Sequence, residues 1–151
     1  MDEVQRRFSL MQWRYAEEDP KALAELERRI AVQGRAGKTI VYSDLVRGVR
    51  FDLPSLKDSP RYIDIHAWQP LDRSIVGDFL AEISRRSYER GRFLASALAV
   101  NAEGFPGDGF YSLLTELGLI PMKTSSLGLE VWVEHVKKAQ AWYKQHAVPD
   151  D

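Results

Sequence analysis

Apolar side chains recur at helical spacing near the start of the chain. Steps of four, three and four residues place them on one stripe, which predicts a helix over 3–18. The stripe consists of Val4, Phe8, Met11 and Tyr15. Leu10 and Trp13 lie off the stripe. This helix is therefore expected to have a second apolar surface.

Capping signals and periodicity predict two further helices. Asp19 and Pro20 provide an N-cap and a first helical residue for a helix over 20–34, which stops at a glycine. The longest amphipathic segment covers 71–88, and its apolar residues share one arc, as in a helix that packs on a core. They are Leu71, Ile75, Val76, Phe79, Leu80 and Ile83.

Two segments are expected to be extended. The β-branched run at 39–41 predicts a short strand, and Ser43 is the expected N-cap of a short helix at 43–49. Residues 92–100 are apolar without polar alternation, which predicts a strand covered on both faces. Between them, 48–70 contains three prolines and predicts an irregular connection packed by its own side chains.

The last third of the chain predicts two more helices. A turn at 101–104 precedes a helix over 110–117, and apolar periodicity predicts a C-terminal helix after it. Residues 129–133 could instead form a strand, because apolar residues occupy nearly every position there. Trp142 lies off the stripe of the last helix, as Trp13 does on the first. This favours contact between the terminal helices, with dimerisation as the alternative.

The order of these elements predicts an α+β fold that is mostly helical. It matches a winged helix-turn-helix core with extra N- and C-terminal helices and a small sheet. In this arrangement 20–34, 43–49 and 71–88 are the three helices, and 92–104 is the wing. The parts of the expected single domain are an N-terminal helix at 1–19, a winged-helix-like core at 20–104 and C-terminal helices at 105–147.

Composition restricts the classes of function. The 151 residues carry 21 basic and 22 acidic side chains, so net charge alone does not attract nucleic acid. Cysteine is absent, which excludes thiolate nucleophiles and cysteine-ligated zinc and fits a cytoplasmic location. No segment approaches the roughly 20 apolar residues of a membrane span, so no membrane partner is expected.

Residues 34–39 look like the end of a phosphate-binding loop. That motif needs a glycine five residues before Gly37, but Val32 occupies the position. It also needs a strand before the loop and a helix after it, whereas here a helix comes first and a strand follows. The segment is therefore interpreted as a flexible turn.

The histidines and the serines do not form a clear catalytic or metal site. His135 and His146 are eleven residues apart, about 16 Å along a helix, which is too far for one metal ion. Asp64 and His66 would supply two ligands without a third, and an enzyme built around them is a remote alternative. Ser43 has no histidine nearby in sequence. We expect no enzyme activity and no cofactor.

The outward face of the predicted 71–88 helix suggests a binding surface. Ser74, Gly77 and Ala81 are small, which would let the helix enter a DNA major groove unless another segment packs there. Four bases at 85–92 could contact phosphate, although a solvated helix end is the simpler explanation. The predicted nucleic-acid contacts are Lys38, Tyr42, Arg73, Ser74, Gly77, Arg85, Arg86, Arg90 and Arg92.

The alternative function is binding of a protein partner, as an immunity, inhibitor or adaptor protein. The acidic N-terminal segment and exposed aromatic residues would form such an interface. One continuous basic face in the folded protein would favour DNA or RNA. An acidic or apolar patch would favour a protein partner, including a second copy of the chain.

Three short motifs resemble the winged-helix domain of alkyltransferase-like DNA-repair proteins. They are YSDL at 42–45, IVGDFL at 75–80 and ALAVNAEG at 97–104. The resemblance implies a helix-turn-helix with Val76-Gly77 in the recognition helix. The active enzymes of that family have a cysteine just before the final turn, and this chain has none, so alkyl transfer is not expected. Residues 92–110 also resemble uncharacterised small bacterial proteins.

Overall fold

Helices make up most of this α+β protein, which the computed structural model describes over residues 1–146. The elements are α1 Glu3–Ser9, α2 Pro20–Arg35, β1 Ile40–Val41, α3 Tyr42–Val46, α4 Pro70–Gly91, the 3₁₀ helix Ala95–Leu98, β2 Ala99–Val100, α5 Asp108–Glu116 and α6 Leu127–Gln145. The predicted mostly helical α+β class is confirmed. The last residue of the predicted 105–147 part lies outside the described residues.

The N-terminal helix is shorter than predicted. The backbone N–H groups that would continue it donate instead to a carboxylate on α4. α1 ends at Ser9, and the predicted helix over 3–18 is wrong beyond that residue. The backbone N–H groups of residues 14–16 donate to the Asp78 carboxylate at 2.7–3.0 Å. These bonds tie the segment to α4, and Tyr15 is nevertheless buried in the core.

Local signals predicted α2 correctly and α3 only in part. The Asp19 carboxylate accepts from the Ala22 N–H at 3.0 Å, and it also accepts from the Asp52 N–H at 2.7 Å. α3 starts directly after β1, with Val41 in the extended backbone that an N-cap requires. Ser43 therefore lies inside α3 and does not cap it, contrary to the prediction. The helix is also only five residues long.

The predicted core helix over 71–88 is confirmed as α4. Its start is held by Asp72, whose carboxylate accepts from the Gln69 N–H and pairs with Arg61 at 2.9 Å. Both side chains of this ion pair are almost fully buried. Beyond the helix, Arg92 adopts left-handed backbone with a φ of 59°. This residue turns the chain back across the core.

The segment predicted as a strand at 92–100 is buried after its first residue, but most of it is not extended. Two serine hydroxyls on α4 accept from the N–H groups of Ala95 and Ser96, at 2.9 and 3.0 Å. These serines are Ser87 and Ser84, respectively. Because they occupy N–H groups that a strand ladder would use, the chain forms a 3₁₀ helix there, and only β2 is a strand.

The small sheet is parallel. Its pairs are Ile40 with Ala99 and Val41 with Val100. Residues 92–104, predicted as the wing, do not form an antiparallel hairpin, since β2 pairs with β1 and the turn at 101–104 leads to α5. Within residues 1–146 a winged-helix core is thus not confirmed. Because the strands are parallel, their carboxyl ends meet at one edge of the sheet.

Two apolar clusters join the helices. The larger lies between α2, α4 and α6, where Leu26, Phe79 and Tyr143 are buried. Gly34 lets α2 approach this cluster closely, because a Cβ atom there would lie 2.8 Å from the side chains of Leu98 and Tyr143. The smaller cluster brings α1 and α5 together.

The irregular connection at 48–70 and the helix α6 complete the fold. Residues 48–70 are irregular, as predicted, with Phe51 and Arg61 exchanging backbone hydrogen bonds. The buried side chains of this segment, Phe51, Leu53 and Ile63, belong to the larger apolar cluster, and Phe51 packs on Phe79 of α4. α6 is continuous through 129–133, so the alternative strand is not formed. Trp142 packs on Phe93, with ring centroids 5.5 Å apart.

Candidate functional site

A cleft of about 810 Å³ opens at the carboxyl ends of the two parallel strands. One wall is the first half of α4, and the opposite wall combines the start of α3 with the start of α5. Ile65 and Trp68, from the irregular connection, complete the lining. Ligands of open α/β sheets bind at this edge, so the cleft is the candidate site.

Tyr42 joins two of the segments that shape the cleft. Its hydroxyl oxygen accepts a hydrogen bond from the Gly107 N–H at 3.1 Å, which links the start of α3 to the residue before α5. A Cβ atom on Gly107 would lie only 3.1 Å from that oxygen, so the approach suits glycine. Burial raises the pKa of Tyr42, and the phenol therefore stays protonated at neutral pH.

The small-residue face of α4 is open where it borders the cleft. Gly77 is exposed, and a Cβ atom there would meet nothing within 4 Å. No described segment therefore covers this position, which answers the alternative that another part of the chain packs on it. Ser74 is also exposed, and its hydroxyl donates to the Pro70 carbonyl at 3.3 Å.

Arg73 lies at the same wall of the cleft, one helical turn before Gly77. Its guanidinium makes no ion pair and no hydrogen bond with any other residue among 1–146. Arg73 and Asp108, at the start of α5, are the charged side chains of the lining. The predicted contacts Tyr42, Arg73 and Gly77 thus come together around one cleft.

The basic end of α4 is neutralised by carboxylates. Arg85 donates to Glu82 at 2.7 Å and to Glu89 at 3.0 Å, and the hydrogen bond with Glu82 raises the pKa of Arg85. Arg86 and Arg90 face Glu27 on α2, at 3.8 and 3.6 Å.

Glu27 is only 3% exposed, so its two arginines compensate a buried charge. Arg92 is 3.4 Å from Asp2 and lies over the Tyr88 ring. The cluster at 85–92 is therefore not a free basic surface.

Lys38 lies apart from the other predicted contacts. It precedes β1, whereas Tyr42 follows that strand. The Gln140 side chain donates to the Lys38 carbonyl at 3.3 Å, which places this residue beside α6. The predicted contact set is therefore divided among several surfaces.

His135 and His66 each take part in a hydrogen bond within the protein. Buried His135 accepts a hydrogen bond at Nδ1 from the Leu94 N–H at 3.0 Å, and burial lowers its pKa to about 4. The Asp64 carboxylate accepts from the backbone N–H of the exposed His66. Across residues 1–146, no three His, Asp or Glu side chains are grouped to hold a metal ion.

Several residues that line the cleft were not predicted as site residues. Trp68 lies in the irregular connection, and Ser96 lies in the segment that was predicted to be a buried strand. Ser96 is 5% exposed and accepts a hydrogen bond from Ser84 at 2.6 Å at the bottom of the cleft. The turn residue Asn101 also lines it. Of the sequence patterns, only the turn predicted at 101–104, before α5, could have indicated that the chain returns to this cleft.

Comparisons with known proteins leave the resemblance to alkyltransferase-like proteins untested. No family model matches the chain, and neither the curated proteins nor the solved structures compared with it gave a match. In the described part of the chain, every helix is too short or too polar to cross a membrane.

Proposed function

We propose that this protein is a non-enzymatic, cytoplasmic module that binds nucleic acid through the first half of α4. The contacts on the helix are Arg73, Ser74 and Gly77, with Tyr42 beside them. In this proposal α2, α3 and α4 have the places of the three helices of a winged helix, and α4 is the recognition helix. The observation that carries the proposal is Arg73, whose guanidinium has no partner among residues 1–146, one helical turn before the exposed Gly77.

The chemistry of this face suits a phosphate backbone. A guanidinium without a carboxylate partner can bind phosphate with two hydrogen bonds and no exchange of partners. The exposed Gly77 lets another molecule approach the helix backbone. Because the arginines at the far end of α4 are paired, few phosphates are neutralised, so the expected affinity is modest and its salt dependence is shallow.

Fluorescence anisotropy tests the proposal with labelled duplex DNA, single-stranded DNA and RNA, at low and near-physiological salt. We expect binding that weakens with salt, and Arg73→Ala should reduce the salt slope by about one phosphate contact. Lys123→Ala is the matched control, since it removes one exposed cation from the loop after α5. Absence of binding at low salt, or equal effects of both variants, would contradict the proposal.

Binding of a protein partner is the second candidate, favoured by apolar side chains left exposed on α6. Leu129 and Val133 are 47% and 41% exposed and lie one helical turn apart. Phe105, 50% exposed, lies 6.1 Å from the Trp132 ring. These residues would serve an adaptor, an inhibitor or a homodimer.

The same anisotropy series separates the two candidates. If the protein binds none of the three nucleic acids at low salt, binding of a protein partner becomes the proposed function. Sedimentation velocity with and without Val133→Asp then tests the homodimer, which requires an association that the aspartate prevents.

A further inference from the structure

We propose that the cleft beside α4 is a binding site for a small planar aromatic molecule that carries one carboxylate. The cleft, at about 810 Å³, lies in the range of sites for drug-sized ligands. It shares Tyr42, Arg73 and Gly77 with the proposed nucleic-acid surface, but it is concave and largely apolar. This proposal goes beyond nucleic-acid binding and does not require it.

The walls of the cleft select a flat apolar body. Tyr42, Trp68 and Phe110 contribute rings from three different segments, and Val76 and Leu80 add aliphatic surface from α4. Aromatic rings bind other rings by stacking or edge contacts, in addition to the burial of apolar area. Such a lining does not recognise an extended polar chain, but it fits one or two fused rings.

The charges of the lining select a single negative charge on the ligand. Arg73 is its one cationic side chain and Asp108 its one acidic side chain. Arg73 is free to form a bidentate pair with a carboxylate, because it has no partner among residues 1–146. A polyphosphate would place several negative charges near Asp108 with only one cation to compensate them, so a monoanion fits better.

The space is kept open by glycine. A Cβ atom at Gly77 would meet nothing within 4 Å, although this residue lies in the middle of the α4 wall. Glycine is an unfavourable residue inside a helix, and leucine would favour the helix more. The first atom of a larger side chain here clashes with nothing, and a leucine would extend from the α4 wall toward the cleft. Gly77→Leu is therefore a variant that narrows the site, and its folding is checked independently.

Isothermal titration calorimetry without nucleic acid tests the site. The probes are 2-naphthoate, its neutral counterpart 2-naphthamide, and adenosine monophosphate, each taken to millimolar concentration. We expect saturable binding of 2-naphthoate, weaker binding of the amide, and little binding of the nucleotide. Arg73→Ala should weaken 2-naphthoate about tenfold, to the level of the amide, and leave the amide unchanged.

Two variants complete the design. Gly77→Leu should weaken binding of both naphthalene probes, while Ala141→Leu, which adds the same side chain at an exposed position of α6, should bind as the unmodified protein does. Circular dichroism melts confirm that both variants are folded. The proposal is wrong if 2-naphthoate does not bind, if Gly77→Leu leaves its affinity unchanged, or if the nucleotide binds more tightly. Since no nucleic acid is present, these outcomes are independent of the proposed function.

Discussion

At the scale of single residues, burial decides which ionisable groups influence stability. His135 is 3% exposed and neutral. It accepts a hydrogen bond from the Leu94 N–H, near the start of the buried 93–100 segment. Its pKa is lowered from 6.5 to about 4, chiefly by burial. Protonation would remove the acceptor and place a charge in the core. The histidine therefore links α6 to this segment only in its neutral form.

We expect the protein to lose stability as the pH falls from about 6.5 to about 4. Over this range the unfolded chain binds a proton at His135 that the folded chain does not, so the free energy of unfolding falls by about 3 kcal/mol. The contribution is complete above pH 6.5, and it does not decline further below pH 4. Urea unfolding at several pH values measures it.

His135→Gln should reduce this pH dependence, because the titrating group is gone. His66→Gln should retain it, since His66 is exposed. If all three proteins showed the same dependence on pH, other groups would be responsible.

Asp78 has a structural role that its charge does not reveal. It accepts three backbone N–H groups from residues 14–16, so Asp78→Ala should lower the free energy of unfolding by about 2–3 kcal/mol. Glu89→Ala is the control on the same helix, because Glu89 is exposed and its carboxylate bonds only to Arg85 among residues 1–146. Its effect should stay within about 0.5 kcal/mol in denaturant titrations. A similar small loss for Asp78→Ala would show that these bonds do not stabilise the segment.

At the scale of elements, α4 combines a core face, a site face and a buried anchor at its start. Its apolar arc follows the 3.6-residue period, so the helix could be predicted from sequence. The partners of its buried polar residues could not, because they come from other segments of the chain. Arg61 reaches Asp72 from the irregular connection, and Ser96 meets Ser84 from the segment after the helix.

Asp72→Ala should destabilise the protein by about 3 kcal/mol. The change leaves the buried Arg61 guanidinium without this carboxylate and removes the acceptor of the Gln69 N–H. Asp52→Ala is the matched control, since its side chain pairs with Arg50 at the surface, where both are more than half exposed. Its cost should be below about 1 kcal/mol in urea unfolding. Equal costs for the two alanine variants would contradict a stabilising role for the buried pair.

At the scale of the whole molecule, ion pairing decides which cations are available. The sequence shows four bases at 85–92, and all four are among the predicted nucleic-acid contacts. In the folded protein Arg85 bonds to two carboxylates of its own helix, and Arg86 faces Glu27. Charge segregation along the chain therefore overstates the basic surface.

Arg85→Ala should affect nucleic-acid binding less than Arg73→Ala does. Arg85 would have to leave Glu82 and Glu89 to bind phosphate, whereas Arg73 has no such competition within residues 1–146. The measurement is the anisotropy salt slope of the two variants. A larger change for Arg85→Ala would place the contact surface at the end of α4 instead of at its start.

The sequence by itself determined α2, α4 and one side of the candidate site. Caps and periodicity depend on neighbouring residues, so α2 and α4 could be predicted, and the small face with Arg73 and Gly77 followed from them. Tyr42 was also identified, although its contact with Gly107 was not.

Only the tertiary structure decided where α1 ends, how 93–100 folds and which residues close the cleft. Each outcome depends on hydrogen bonds between different segments of the chain, namely Asp78 with residues 14–16, Ser84 with Ser96, and Tyr42 with Gly107. A local pattern carries no information about a partner sixty residues away, and such partners override local preference when they satisfy buried polar groups.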